Sequence, residues 1–230
     1  MRPRPGRPLP PGARPTAAVI FDLDGVLLES EQVWNEAKHE LVEERGGSWR
    51  EDAPRAMMGM SSPEWSAYLR DELGVDMDPP AISDAVVARL EASYRDRLPW
   101  IDGAREAVER TAARQPIGLA SSSNREIIDL FLELSGLGEL FTVTVSSEEV
   151  ERGKPSPDVY LEAARRLAAR PEECLAVEDS ENGIRAAKAA GMKVVVLPNS
   201  EWPPGADALE LADRVIGSLD ELSSVPFRDP

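Results

Sequence analysis

At 230 residues, 42% apolar and 30% charged, the chain has the make-up of a soluble globular protein: one large domain, or one domain carrying a smaller insertion. A formal charge of −16 excludes the basic footprint that nucleic acid or an anionic membrane needs, so an anionic substrate must be held by locally placed cations or a metal. With one cysteine and one histidine, Cys174 and His39, there is no internal disulfide, and a zinc site of the usual ligands and a Ser-His-Asp triad are both disfavoured.

Residues 1–15 hold six prolines, four arginines and no acid, and read as a disordered tail. The tail lacks the apolar stretch of a secretory signal, and no run elsewhere has the length of a membrane span. Cys174 reads as a small core residue in a reducing compartment, which points to a cytoplasmic protein. Nothing in the sequence demands more than a monomer.

The apolar run that begins at Ala17 reads as a strand buried on both faces, ending in acid at Asp22 and Asp24. Residues i and i+2 of an extended chain point the same way, so these two carboxylates leave the strand side by side. Gly25 then allows a sharp turn. Two like charges held that close need a cation or a shared proton.

After Ser30 the spacing becomes helical. Val33, Trp34, Ala37, Leu41 and Val42 mark a helix over 31–45 that Gly46 and Gly47 end. Further helices are expected at 62–73 and 81–97, and no strand between 31 and 99. From 100 onward helices at 103–114, 125–135, 157–169 and 182–190 alternate with strands at 117–120, 141–145, 175–177 and 194–197, with a weak strand near 214–216. Such alternation predicts an α/β fold: a Rossmann-like, doubly wound parallel sheet, with an all-helical block inserted after the first strand. The divisions are a tail at 1–15, an α/β core from 16–30 and 100–230, and a helical cap at 31–99.

Ligands of such sheets bind beyond the carboxyl ends of the strands. Four polar groups fall there: Asp22 with Asp24; the run Ser121-Ser122-Ser123-Asn124; Lys154 within Gly153–Asp158; and Glu178-Asp179-Ser180. Singly, the serines or Asp179 could cap helices and Lys154 could be a solvated turn lysine. Together they supply the parts of a phosphoryl transfer. These are a carboxylate nucleophile, acids for Mg²⁺, hydroxyl and N–H groups for phosphate oxygens, a lysine, and a second carboxylate to move a proton.

The segments FDLDGVLLES, LASSSN, GKPSPDVY and AVEDSENGIRAAKAAGM, in this order, resemble the haloacid dehalogenase superfamily. More narrowly they resemble its small phosphatases and β-phosphoglucomutase-like proteins with a helical cap after the first strand. The resemblance covers about residues 16–222. It implies that Asp22 is the nucleophile and that Asp24 is the general acid and base and lends its backbone carbonyl to Mg²⁺. Ser121 would bind the transferring phosphate with Ser122 nearby, Lys154 would hold phosphate and Asp22, and Asp179 would complete the metal site with Glu178, directly or through water. It also implies that Pro99–Gly103 and Glu29-Ser30 are hinges about which the cap opens and closes.

Within that family, dehalogenases lack the second aspartate, and phosphonate hydrolysis uses a Schiff-base lysine from the cap, where only Lys38 stands. The phosphomutases carry a histidine and an arginine where this chain has Trp34 and Ser62, and neither side chain can replace them. The expectation is therefore a Mg²⁺-dependent phosphohydrolase acting on a small phosphomonoester, a sugar phosphate among the candidates. The alternatives are a β-phosphoglucomutase-type mutase and a non-catalytic metal- and phosphate-binding module. Trp34 and Gly59 are the candidate cap contacts to substrate. Met57, Met58, Met60, Trp65 and Tyr68 either line the cap's inner face with Trp34 or form its own small core, and Arg55 and Arg70 either meet a substrate anion or are solvated.

Overall fold

The computed structural model describes residues 16–57, 60–199 and 203–224. Six strands form one parallel sheet: β1 (Ala18–Phe21), β2 (Ile117–Ser121), β3 (Phe141–Ser146), β4 (Cys174–Glu178), β5 (Lys193–Val196) and β6 (Arg214–Val215), in the order β3-β2-β1-β4-β5-β6. The strand order turns at β1, so β1 and β4 flank the crevice in which such sheets bind ligands. The register brings Phe21 level with Leu119 of β2 and Val177 of β4, which sets the residues that follow these three strands at one edge.

The central strands β1, β2 and β4 are buried on both faces, and alternation sorts their side chains. Val19 and Phe21 join Leu119 and Val177 on one face. That face is covered by α5 (Ala104–Ala112) and α6 (Arg125–Ser135), through Val108, Ile128 and Phe131 among others. Ala18 and Ile20 join Cys174, Ala176 and Val194 on the other, under α7 (Asp158–Arg166), α8 (Glu181–Ala189) and the short α9 (Ala206–Leu209). Cys174 is a buried core residue, as its neighbours in the sequence suggest.

The helical block comprises α1 (Glu31–Glu44), α2 (Ala53–Met57), α3 (Ser62–Asp71) and α4 (Pro79–Asp96). Buried Trp34, Leu41, Leu69, Ile82 and Leu90 tie these helices together and to the first face of the sheet. Glu29 N donates to Pro99 O at 2.7 Å and Ile101 N to Leu27 O at 3.0 Å, so the chain enters and leaves the block through one antiparallel pairing. Among the described residues no helix is long and apolar enough to cross a membrane.

The expected helices are present within a few residues of their expected ends. Helices α2 and α9 are additions. The five residues of α2 carry no amphipathic repeat and are too few to be stable alone; the burial of Ala53 and Met57 holds them. Residues 1–15, Met58 and Gly59 lie outside the described residues.

Candidate active site

The edge where β1 and β4 end gathers acid. Asp22, Glu178 and Asp179 are all buried, with one carboxylate oxygen of each within 4.8 Å of the others. Two glycines make room for them. A Cβ on Gly25, whose φ is +77°, would lie 1.9 Å from Asp179 Oδ2, and one on Gly183 would lie 1.8 Å from Glu178 Oε1. Neither position accepts a larger residue while the acids stay where they are.

Among the described residues one cation faces this cluster. Lys154 Nζ lies 3.0 Å from Asp22 Oδ2 and 2.6 Å from Glu178 Oε1. Tyr160 OH also donates to Glu178 Oε1, at 2.6 Å, and the backbone N–H groups of Asp179 and Ser180 donate to Oε2. Burial pushes the Asp22 carboxyl up to about 8; Lys154 opposes this, while Glu178 and Asp24 add to it. Burial, then Glu178 and Asp22, hold Asp179 well above the ordinary carboxylate range. For Lys154, burial works against the ammonium, but Asp22 and Glu178 outweigh it and keep the lysine charged. Three hard oxygen acids against a single ammonium leave a deficit of positive charge that a divalent cation with a preference for oxygen fits.

Asp24 faces the same cavity but keeps other company. Its Oδ1 accepts from Trp34 Nε1 at 3.1 Å and from Ser30 Oγ, and its Oδ2 accepts from Ser123 Oγ, with Ser121 Oγ 3.5 Å away. Ser30 precedes α1 and could have capped it; its hydroxyl serves Asp24 and makes no cap bond. Ser180, by contrast, caps α8 through Gly183 N at 3.1 Å.

The core side of the cavity is formed by Asp22, Asp24, Ser122, Ser123, Lys154 and Asp179, and the helical block contributes Trp34, Lys38, Met57, Met60 and Trp65. Ser122 Oγ is buried and has no hydrogen-bond partner among the described residues. Six of the residues expected from the sequence, Asp22, Asp24, Trp34, Ser122, Lys154 and Asp179, thus share one cavity. Glu178 sits behind it against Lys154 and Tyr160. Ser121 is fully buried beneath it, its Oγ accepting Ser123 N–H at 3.0 Å.

Three other residues of the helical block singled out in the sequence lie off the cavity. Ser62 Oγ donates to Asn124 Oδ1 at 2.7 Å and fastens the block to the start of α6. Tyr68 meets Arg50 at 3.0 Å, away from the cavity, and Arg70 pairs with Asp71 in solvent. Sequence reasoning missed Ser123 and Tyr160 as partners of the site acids. Ser123 lay inside the serine run already singled out. Tyr160 sits six residues past Lys154, and only folding brings both onto Glu178.

Comparison with known proteins agrees with this geometry. Residues 19–197 match the model of a family described as haloacid dehalogenase-like hydrolase. Hexitol phosphatase B of Escherichia coli K12 is 31% identical over 223 residues, covering 92% of this chain and 96% of that protein. The bifunctional riboflavin kinase/FMN phosphatase of Arabidopsis thaliana is also 31% identical, over 224 residues that cover 93% of this chain and 58% of that protein. A crystal structure of CbbY from Rhodobacter sphaeroides with xylulose 1,5-bisphosphate superposes with a TM-score of 0.81 at 27% identity, covering 93% of this chain and all of that one.

Proposed function

Because the chain belongs to the haloacid dehalogenase-like hydrolase family, we propose that it is a Mg²⁺-dependent phosphatase of small phosphomonoesters, sugar and polyol phosphates among them. The observation that carries this reading is Asp22, held by Lys154 within a buried acid cluster, opening onto the same cavity as Asp24.

In the reaction a carboxylate oxygen of Asp22 attacks phosphorus and the bond from phosphorus to the ester oxygen breaks, leaving an aspartyl phosphate. Asp24 gives its proton to the departing alkoxide, then takes one from the water that attacks the aspartyl phosphate; inorganic phosphate leaves and Asp22 is restored. Lys154 keeps Asp22 in place and neutralises phosphate charge. The unpartnered Ser122 hydroxyl and the backbone before α6 suit phosphate oxygens, with Ser121 supporting that loop from below. Asp22, Asp179 and the Asp24 carbonyl, with Glu178, would hold Mg²⁺, which would shield the nucleophile from the negative charge of its substrate.

Residues 31–99 act as a cap on the core of 16–30 and 100–230, moving about the paired segments at Glu29 and Pro99. The mutase alternative finds little support, because the Trp34 indole N–H is occupied by Asp24 and the Ser62 hydroxyl by Asn124. A cytoplasmic monomer completes the reading, in keeping with one buried, unbridged cysteine.

The test is phosphate release from p-nitrophenyl phosphate and a panel of sugar phosphates, with and without Mg²⁺. Release that requires Mg²⁺ and disappears in Asp22→Asn is expected. Comparable turnover by Asp22→Asn would reject the nucleophile, and glucose 6-phosphate formed from β-glucose 1-phosphate without free phosphate would mean a mutase.

A further inference from the structure

We propose that Lys38 selects the substrate, its ammonium pairing with a second anionic group, a carboxylate or a further phosphate, on the organic part of the phosphomonoester. The inference rests on the phosphatase reading and adds to it the class of substrate.

Lys38 stands on α1 one turn beyond Trp34, and its side chain reaches into the cavity that Asp22 opens onto. Only 7% of the residue is exposed. Its Nζ lies 5.1 Å from the centroid of the Trp34 ring and 5.0 Å from that of Trp65, and the two indoles meet edge to face at 5.9 Å. Among the described residues Nζ has no hydrogen-bond acceptor and no carboxylate within ion-pairing distance. Indole faces attract a cation but accept none of the three hydrogen bonds an ammonium can donate.

A buried charge without a partner is costly to keep unless something completes it. Asp24 and Glu31 act on Lys38 only at longer range. Asp24 is moreover already engaged by the Trp34 indole and by serine hydroxyls.

The placement says what the missing partner is. Lys38 and Lys154 are the cavity's cations, and Lys154 is spent on Asp22 and Glu178. A phosphomonoester with its phosphate at Asp22 has the rest of the cavity for its organic part, and there the helical block presents Glu31, Trp34, Asn35, Lys38, Met57 and Trp65. A hydroxyl there would leave the ammonium, drawn by Asp24 and Glu31 only at longer range, with no anion in contact. A second anion balances it and takes up its donors.

The experiment measures kcat/KM for phosphate release by the full chain with Mg²⁺, on p-nitrophenyl phosphate and on matched pairs. 3-Phosphoglycerate against glycerol 3-phosphate tests the carboxylate, and fructose 1,6-bisphosphate against fructose 1-phosphate tests the phosphate. The wild type is expected to favour the second-anion member of at least one pair by about tenfold or more, the worth of one charge-assisted hydrogen bond. Lys38→Met, which keeps the apolar stem, should abolish that preference, and Lys38→Arg should restore part of it. Equal losses on both members in Lys38→Met would mean that Lys38 only packs between the indoles, and would overturn the proposal. So would a wild type with no preference in either pair that still turns over p-nitrophenyl phosphate. Silence on every compound, p-nitrophenyl phosphate included, would overturn the phosphatase reading and this inference with it.

Discussion

Stripping the protein of divalent metal and raising the pH exposes what the acid cluster costs. Burial lifts the Asp22 carboxyl to about 8 in the folded protein, whereas in the unfolded chain it titrates at its ordinary value near 4. Between those values the folded state keeps a proton that the unfolded chain has released. Stability from this source is therefore complete below about pH 4 and is lost as the pH rises through about 8. Lys154 keeps its proton in both states across this window and adds no slope. One proton is worth about 1.4 kcal/mol per pH unit, flattening near the folded pKa, so the loss from about pH 6 to about pH 8 is about 2 kcal/mol. For a chain of this size that is a fall in Tm of roughly 4–8 °C. Asp179, raised for the same reason, acts in the same direction. Thermal melts across the range, in EDTA and in excess Mg²⁺, make the comparison. Bound metal keeps the cluster deprotonated throughout, so the Mg²⁺ curve should stay flatter and the gap between the two should widen with pH. Parallel curves would refute the claim that buried, under-neutralised acids form the metal site.

Two further outcomes follow from single contacts. Gly183→Ala sets a methyl against the Glu178 carboxylate, which Lys154 and Tyr160 hold in place, so it should destabilise the fold by about 1–3 kcal/mol and raise the Mg²⁺ concentration needed for activity. Urea denaturation and a Mg²⁺ titration read the two effects, and wild-type values in both would show that Glu178 has room to move. Asp24→Asn removes the proton donor, so alkyl phosphates should slow by about 10²–10⁴ and p-nitrophenyl phosphate, with its good leaving group, far less. Equal slowing of both would argue against proton transfer by Asp24.

Much of this protein is legible because its determinants are local. A parallel strand buried on both faces must be an apolar run, and the chain can become polar only where the strand stops, so the acids after Phe21 and Val177 mark the sheet's edge. The same holds for the helices, whose spacing is a property of neighbouring residues. Helix α2 escaped because its stability comes from what Ala53 and Met57 bury against, and no periodicity records that.

Within the site, residue types and chain order were readable from the sequence, and partners were not. Nothing local pairs Ser123 with Asp24 across 99 residues, or Ser62 with Asn124 across 62. Ser121 and Ser122 are adjacent and chemically identical, yet one is buried beneath the cavity floor and the other lines it, because successive side chains leaving a strand diverge. Lys38 makes the same point most sharply. In the sequence it is a lysine among polar neighbours on an amphipathic helix, indistinguishable from a solvated one. The fold turns that face of α1 inward and sets the ammonium near two indoles, in the cavity that Asp22 also lines. The sequence by itself determined which chemistry is on offer and at which edge of the sheet; which charges are dry, and which of them are left without a partner, was decided only when distant segments closed over one another, because desolvation and charge pairing depend on everything within a few ångströms and not on chain distance.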